Sequence, residues 1–549
     1  MAYPTLNWLF EEAVNHHRER PAIIELQYDG LEQQSVTYQE LGDLVDGLVY
    51  ALDEMEIGRD TKVAVLAKPR VEWAVSFFAT LKLGGGVVPI DPNLQEPEVK
   101  RILHNSETKV AIVDGEHLTM LESLIDSLEM LEYVVAMDAW EGFDFPYLHD
   151  LIGERRISVD EEVSPDDLAA LIYTSGTTGN AKGAMLTHAN LSSNIESVIQ
   201  VMHVAPDDTL VSIAPWNHIF GLTVTLLIPI RMGATTTYTD QYKELPAIMH
   251  QTGATILIGV PKLYHTMFDL VMRQVNSSWL ARNLYKYKLS SRLVGQQVKK
   301  KLVGDRFRFL VSGGAPLDPM VADGLKRFGI GIIEGYGLTE TSPVVCFNEA
   351  FSEKSGSVGR SIPGVEIKIV NPDEQGIGVI AVRGPNVMQG YYKNPQATQV
   401  VLDEQGWLHT GDLGYLDEQG YLYIKGREKN LIVLETGKNV YPEEVESELE
   451  QIPYIEEILV RQRMRGGKET VQALVYPNWE RLDPSSDSEK VKQLIWEEIK
   501  KRNWNLAAYK RIKTDQDLII VDQPFEKTTT LKIKRHSIES EPNDAPGSL

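Results

Sequence analysis

Tyr173-Thr174-Ser175-Gly176-Thr177-Thr178-Gly179-Asn180-Ala181-Lys182-Gly183 is the stretch on which the reading of this chain turns. It follows a short apolar run, residues 169–172, that reads as a buried strand, and a helix is expected to begin near Thr187-His188. Between strand and helix lie three glycines, four hydroxyl residues and one lysine. Glycine lets the backbone approach an anion closely, and N–H groups, hydroxyls and an ammonium supply donors, so the composition suits a phosphate cradle. The spacing is not that of a Walker loop: Ala181 stands fifth after Gly176, and Lys182 is followed by Gly183 instead of Ser or Thr. A polar surface loop that binds nothing has the same composition. Alone, the stretch supports a phosphate site and no more.

Working outward, buried strands and amphipathic helices alternate. Thr37-Tyr38-Gln39-Glu40 has the capping-box form, and Leu41, Leu44, Val45, Leu48, Val49 and Leu52 follow at helical spacing. Residues 63–66, 87–90 and 110–113 read as strands and 71–83 as a helix; downstream, 256–258 and 309–311 read as further strands. Such alternation predicts parallel α/β layers. Gly84-Gly85-Gly86 does not complete a dinucleotide fingerprint, since Pro89 stands where the last glycine belongs, and residues 329–334 fail in the same way. Residues 277–303 read as helical and basic, most simply a solvated face, with a docking surface for a negatively charged tail as the alternative. Beyond about residue 365 short β-type segments appear at 366–370, 378–382 and 421–424, a compact β-rich unit. A boundary is expected just after Gly426, followed by a small α+β domain with helices over 442–450 and 489–501 and strands near Ile458, Ala473 and Leu518. The last dozen residues, rich in Ser, Glu and Pro, read as a disordered tail.

Composition narrows the classes. A chain of 549 residues exceeds one ordinary core, so two to four domains are expected. With 54 Lys and Arg against 78 Asp and Glu, a general nucleic-acid or anionic-membrane surface is disfavoured, while a local basic pocket is not. A single cysteine, Cys346, excludes an intrachain disulfide framework and any multi-cysteine metal site, and fits a reducing compartment. Met1-Ala2-Tyr3-Pro4 leads into Glu11, Glu12 and His16 with no secretory pattern. The longest apolar run, 219–230, is closed by Arg231, short of the roughly 18–20 residues a bilayer needs. The expectation is a soluble, cytoplasmic protein with no transmembrane segment and no nucleic-acid partner; peripheral contact at the inner membrane face stays open.

Two further glycine-rich segments carry chemistry. Ser312-Gly313-Gly314-Ala315-Pro316 follows a strand, where such glycines line ligand crevices or serve as plain turns. Glu334-Gly335-Tyr336-Gly337-Leu338-Thr339-Glu340 combines an aromatic face, two close-approach glycines, a hydroxyl and a carboxylate that could hold Mg²⁺ near phosphates. Core packing for Tyr336 and a solvated charge for Glu340 are the simpler readings. Together the three segments suggest an ATP-sized ligand at the C-terminal edge of a sheet.

With Gly411-Asp412, Gly426-Arg427 and Thr530-Leu531-Lys532-Ile533 following in order, the set closely resembles the adenylate-forming superfamily of acyl-CoA synthetases, adenylation domains and luciferases, over residues 8–536. Asn430-Leu431-Ile432-Val433 before Gly437-Lys438-Asn439-Val440-Tyr441-Pro442-Glu443-Glu444, and the Lys-rich insertion before Ser312, look most like the bacterial long-chain fatty acyl-CoA ligases. The resemblance implies a large N-terminal AMP-binding domain of α/β layers over 1–426, with its β-rich subdomain near 365–426. A hinge at 427–430 and a small mobile α+β C-terminal domain over 431–536 would follow, with 537–549 as tail.

By the same resemblance, Thr174, Ser175, Gly176, Thr177, Thr178, Gly179 and Lys182 would hold the β- and γ-phosphates, and Thr177 would share the metal with Glu340. Gly314, Ala315, Glu334, Gly335, Tyr336 and Gly337 would surround adenine, with Thr339 and Glu340 at the α-phosphate and Mg²⁺. Asp412 would grip both ribose hydroxyls and Arg427 would add a charge-assisted contact. His218, in Pro215-Trp216-Asn217-His218-Ile219-Phe220-Gly221, matches a pocket histidine beside the carboxylate substrate. Lys532 matches the mobile lysine that stabilises charge developing at the α-phosphate, Lys429 the pivot, and Gly437 the thioester-stage face. The implied reaction joins a carboxylic acid, in this branch a medium- or long-chain fatty acid, to coenzyme A through an acyl adenylate, with ATP and Mg²⁺. An acyl carrier protein as thiol acceptor, or a nucleotide-binding protein without catalysis, are the other readings. Leu531 stands where the family usually has glycine, Val379 where glutamate is common, Val433 where many relatives have lysine and Asn430 where aspartate is frequent. The long-chain branch shows several of these.

Overall fold

The computed structural model describes residues 3–26, 33–140, 142–153, 157, 162–174, 181–277, 279, 288–352, 354, 356–465, 468–482, 487–527 and 533–535. Chain contacts divide it into two compact units. The first comprises Met1–Ile367, Val382–Leu408 and Gly420–Leu422, the second Lys368–Ala381, His409–Gln419 and Tyr423–Leu549.

The first unit is built on two twisted sheets with parallel centres, as the alternating pattern predicts. In the nine-stranded sheet, Gly331–Gly337, Phe309–Ser312, Ile256–Gly259, Thr209–Ser212, Thr235–Tyr238 and Pro21–Leu26 run parallel, and antiparallel strands flank them on both sides. In the seven-stranded sheet, Leu168–Thr174, Gly86–Ile90, Lys62–Leu66, Val110–Val113 and Tyr133–Ala136 are the parallel set. The strands are near-continuous apolar runs because helices cover both faces; Lys62–Leu66 and Val110–Val113 are buried throughout. Each buried Val, Leu or Ile side chain contributes about 1.5–3 kcal/mol.

Helix Tyr38–Glu54 starts at the predicted capping box, with Thr37 accepting from the Glu40 amide and Glu40 reaching back to Thr37. Its first residue, Tyr38, is wholly buried and donates its hydroxyl to the Ala234 carbonyl at 2.7 Å. Helix Val71–Lys82 is buried around most of its circumference. It follows a strand of the seven-stranded sheet, and its Trp73 meets Trp216, which follows a strand of the nine-stranded sheet, edge-on at 5.5 Å. This helix ties the two sheets together.

One element departs from the expected strand–loop–helix order. The strand Leu168–Thr174 returns as a second strand, Lys182–Thr187, antiparallel to it with Thr174 opposite Lys182. Helix His188–Met202 then begins where the sequence places it, capped by Thr187. The glycine-rich stretch therefore joins two antiparallel strands, and the helix begins only after the second of them.

A four-stranded sheet, ordered Glu366–Val370, Gly378–Arg383, Leu408–Leu416, Leu422–Arg427, has most of its residues in the second unit. Its strand Leu408–Leu416 carries Gly411-Asp412 and is not visible as a strand in the sequence, since glycines and polar residues interrupt its alternation. Ile377, Leu413 and Tyr441 form a small apolar cluster of the second unit, joined by Val379, Tyr415 and Leu431. The C-terminal part is the expected α+β arrangement: the hairpin Ile455–Arg465 and Lys468–Pro477, the parallel strand Leu518–Ile520, and helices Pro442–Leu449 and Ser488–Arg502. Val445, Leu449, Val460, Val471, Ile495 and Ile499 are among its core residues. Among the described residues, no helix is long and apolar enough to cross a membrane.

Candidate active site

In the nine-stranded sheet the register sets Gly259 beside Ser312 and Ser312 beside Glu334. The segment 313–315, which leaves the strand Phe309–Ser312, therefore lies next to the strand end 335–337 at the C-terminal edge. Gly314 has φ +83°, a left-handed conformation in which its position faces open space, and Ala315 beside it is exposed. A Cβ on Gly313 would come within 2.7 Å of the Phe220 ring, so the segment 215–221, which leaves the strand Thr209–Ser212, packs on this loop. The glycine at 313 is required by that close approach.

Glu334, Gly335, Tyr336 and Gly337 belong to the end of the strand Gly331–Gly337 itself, and Tyr336 pairs with Cys346 of an antiparallel neighbour. Glu334 is buried, and desolvation pushes its carboxyl up to about 7 against the opposing effect of Lys326. Gly337 fits tightly: a Cβ there would lie 1.8 Å from the Pro343 carbonyl oxygen. Thr339 and Glu340 follow in the 3₁₀ turn Thr339–Thr341.

The hairpin of the seven-stranded sheet reaches the same neighbourhood through a short strand that the sequence reading missed. Gly390–Tyr391 pairs antiparallel with Lys182–Thr187, Tyr391 opposite Ala184. The Tyr391 hydroxyl donates to Glu340 Oε1 at 2.7 Å, and the Lys182 ammonium sits 5.1 Å from the centre of the Tyr391 ring. The backbone reinforces this, with Met388 N donating to the Glu340 carbonyl at 3.0 Å. Across the hairpin, Thr174 Oγ1 donates to the Lys182 carbonyl at 3.4 Å. Thr174, Lys182, Thr339 and Glu340 are thus brought together.

His218 is oriented toward the seven-stranded sheet. Its Nε2 lies 3.3 Å from Oδ2 of Asp91, the residue after the strand Gly86–Ile90, in an approach that is not aligned as a hydrogen bond. Asp91 is itself held by the Asn93 amide and side chain, each 2.9 Å from Oδ1. Asp91 and Tyr391 are the residues the sequence reading did not find; a carboxylate two residues before Asn93 and a tyrosine after a glycine carry no local sign of distant partners.

The second unit holds its own part of the predicted set. Asp412 is buried on its strand, and Arg427 Nε stands 2.7 Å from Asp412 Oδ1 while its NH1 donates to the Thr410 carbonyl at 3.2 Å. Lys429 lies in the 3₁₀ turn Glu428–Asn430, where Asn430 donates to Glu443 at 2.5 Å. Gly437 has φ +73° and a Cβ there would meet nothing. Ser175, Gly176, Thr177, Thr178, Gly179 and Lys532 lie outside the described residues.

The described residues contain no group of three or more His, Cys, Asp or Glu side chains placed to hold a metal ion. Glu340 is a single carboxylate with one oxygen engaged by Tyr391. That fits Mg²⁺, which keeps several waters and takes one or two carboxylates together with substrate phosphates, in preference to an all-protein cage.

A long-chain-fatty-acid–CoA ligase of Escherichia coli O157:H7 is 28% identical over 497 residues, covering 83% of this chain and 82% of that protein. A chloroplast long-chain-fatty-acid–[acyl-carrier-protein] ligase of Arabidopsis thaliana is 27% identical, covering 96% of this chain and 84% of that protein. Among solved structures, ATP-bound MatB from Rhodopseudomonas palustris superposes with a TM-score of 0.78 at 26% identity, over 97% of this chain and 98% of that one. The AMP-binding enzyme family matches residues 10–392, and the C-terminal domain of AMP-binding enzymes matches residues 429–544. With its glycine-rich loops, its paired sheets and these matches all in one order, the chain belongs to the family of AMP-binding enzymes.

Proposed function

We propose that this protein is an ATP-dependent acid–thiol ligase that converts a medium- or long-chain fatty acid to its acyl-CoA through an acyl adenylate. The observation that carries the reading is that the loop 313–315 and the strand end 335–337 share one sheet edge, while Glu340, just beyond that strand, meets Lys182 of the other sheet through Tyr391. The exposed turn at Gly314 and Ala315 beside the strand end at Tyr336 suits a base, and Lys182 and Glu340 supply a cation and a carboxylate suited to phosphates. The E. coli and Arabidopsis relatives supply the acid class.

In the first step a carboxylate oxygen attacks the α-phosphorus of ATP and the bond to pyrophosphate breaks. In the second the thiol sulfur attacks the acyl carbon and AMP leaves. Lys182 and Thr174 hold the outgoing phosphates; the hairpin loop, with Ser175, Gly176, Thr177, Thr178 and Gly179, completes the cradle. Gly314, Ala315, Glu334 and Tyr336 enclose the base. Thr339 and Glu340 face the α-phosphate, where Mg²⁺ bound by Glu340, with Thr177, would neutralise phosphate charge. Asp412 takes the ribose hydroxyls, Arg427 adds a charge-assisted contact, and His218 faces the acid. Lys532 places an ammonium where charge develops. We further propose domain limits of 1–426 and 431–536 with a hinge at 427–430 about Lys429, so that Lys532 clears a path for the thiol before the Gly437 face serves the second step.

The test is acid-dependent exchange of labelled pyrophosphate into ATP, followed by thioester formation with free coenzyme A. Lys532→Ala is expected to abolish exchange while ATP still binds; undiminished exchange removes Lys532 from the mechanism. The carrier-protein relative favours one second reading, transfer to the phosphopantetheine of an acyl carrier protein. Thioester made with a purified carrier protein, and none with free coenzyme A, would select it.

A further inference from the structure

We propose that Tyr391 is a positioning residue that holds the Glu340 carboxylate and the Lys182 ammonium apart and aimed at one set of phosphates. The inference rests on the adenylation reading for its ligand and goes beyond it in naming what organises the two charges.

The two charged groups come from different sheets. Lys182 opens the second strand of the hairpin in the seven-stranded sheet, and Glu340 sits in a turn beyond the last parallel strand of the nine-stranded sheet. An ammonium and a carboxylate close to each other attract, so a partner that holds each of them leaves both available to a ligand. Tyr391 offers each a different partner. Its hydroxyl donates to Glu340 Oε1 at 2.7 Å, which fixes the carboxylate and leaves the second oxygen to a cation. Its ring face takes the Lys182 ammonium at 5.1 Å, a contact that leaves outward N–H donors for an anion.

Tyr391 is placed firmly enough to act in this way. It is only 8% exposed. Its amide donates to Thr398 Oγ1 at 2.9 Å, and Thr398 Oγ1 donates to the Asn394 carbonyl at 3.0 Å. The strand that carries it is pinned on both sides by Gln389 N to the Met185 carbonyl and Tyr392 N to the Gly183 carbonyl, at 3.1 and 2.8 Å. Gly390, at φ +146° with a Cβ position 2.8 Å from Thr398 Cγ2, lets the chain turn into this pairing. One side chain on a rigid strand therefore sets the geometry of two phosphate-directed groups.

The experiment is calorimetric titration of ATP into the full chain, with Mg²⁺ and with EDTA, for the wild type, Tyr391→Phe and Tyr391→Leu, alongside thermal melts. Tyr391→Phe keeps the ring and loses the hydroxyl; it is expected to lose about tenfold of the Mg²⁺-dependent gain in ATP affinity while affinity in EDTA stays at the wild-type value. Tyr391→Leu is expected to lose that gain and also to weaken ATP severalfold in EDTA, because Lys182 loses its ring. A full Mg²⁺-dependent gain in Tyr391→Phe, or equal EDTA affinities for Phe and Leu, overturns the proposal. A wild type that binds ATP with a Mg²⁺-dependent gain but performs no acid-dependent exchange sinks the ligase reading, while the two variants still decide the role of Tyr391.

Discussion

Arg427 Nε lies 2.7 Å from Oδ1 of Asp412, and the Asp412 side chain is only 8% exposed. A buried carboxylate that loses its guanidinium keeps its desolvation cost, whereas removing both partners removes the conflict. Arg427→Ala is therefore expected to destabilise the second unit by about 1–3 kcal/mol. The Asp412→Ala, Arg427→Ala double variant is expected to cost less than the sum of the single changes by about 1 kcal/mol. Denaturant unfolding of the four forms measures the coupling; additive losses would contradict it.

Glu334 gives a pH signature. Burial holds its carboxyl at about 7 in the folded chain against an ordinary 4.5, with Asp323 adding to the rise and Lys326 opposing it. Between those values the folded state keeps a proton that the unfolded chain has shed. The stabilising contribution is full below about 4.5, falls as pH rises to about 7 and is flat above. Glu334→Gln removes it, so the stability of the variant relative to wild type should rise by on the order of 2–3 kcal/mol from pH 4.5 to pH 7.5. The buried imidazole of His188, held down to about 4 by desolvation, acts in the opposite sense, losing stability as pH falls through 6.5. It is common to both proteins and cancels in the difference.

Glycine at 337 and glycine at 314 should behave differently. A Cβ at Gly337 meets the Pro343 carbonyl oxygen at 1.8 Å, a backbone clash that no rotamer relieves. At Gly314 nothing lies within 4 Å and only the positive φ resists a side chain. Gly314→Ala is expected to cost about 1 kcal/mol. Gly337→Ala should cost about 3 kcal/mol or more and displace the turn carrying Glu340. Melting temperatures and ATP affinity report both effects; equal behaviour of the two variants would contradict the assignment.

The Asp91–His218 approach predicts a selective defect. Asp91→Ala frees the edge of the imidazole without touching the phosphate-directed residues, so the KM for the acid should rise about tenfold, worth about 1.4 kcal/mol, with ATP affinity unchanged. Initial rates of pyrophosphate release at varied acid and varied ATP separate the two. A change confined to ATP would remove Asp91 from the acid side.

Much of the fold was legible because its determinants are local. The capping box at Thr37–Glu40 set the start of a helix, continuous apolar runs marked strands buried on both faces, and Thr187 marked where helix His188–Met202 begins. The hairpin was not legible: Lys182–Thr187 has no period that separates a strand from a helix lead-in, and only pairing with Leu168–Thr174 decides its state. Strand Leu408–Leu416 was lost for a similar reason, since Gly411 and Gly414 break its pattern.

The candidate site divides along the same line. The sequence by itself marked the glycine-rich segments around Lys182, Gly314 and Tyr336 as candidates for a phosphate-bearing ligand, and the order of its motifs, through Glu340 and Asp412, carried the family resemblance. Tertiary structure alone decided which of them meet and through what. Tyr391 bonds a residue 51 positions away, and Asp91 faces His218 from the other sheet. Such pairs leave no local trace, because the free energy that joins them comes from closing two sheets around shared helices, and the strands' register then fixes which side chains share an edge.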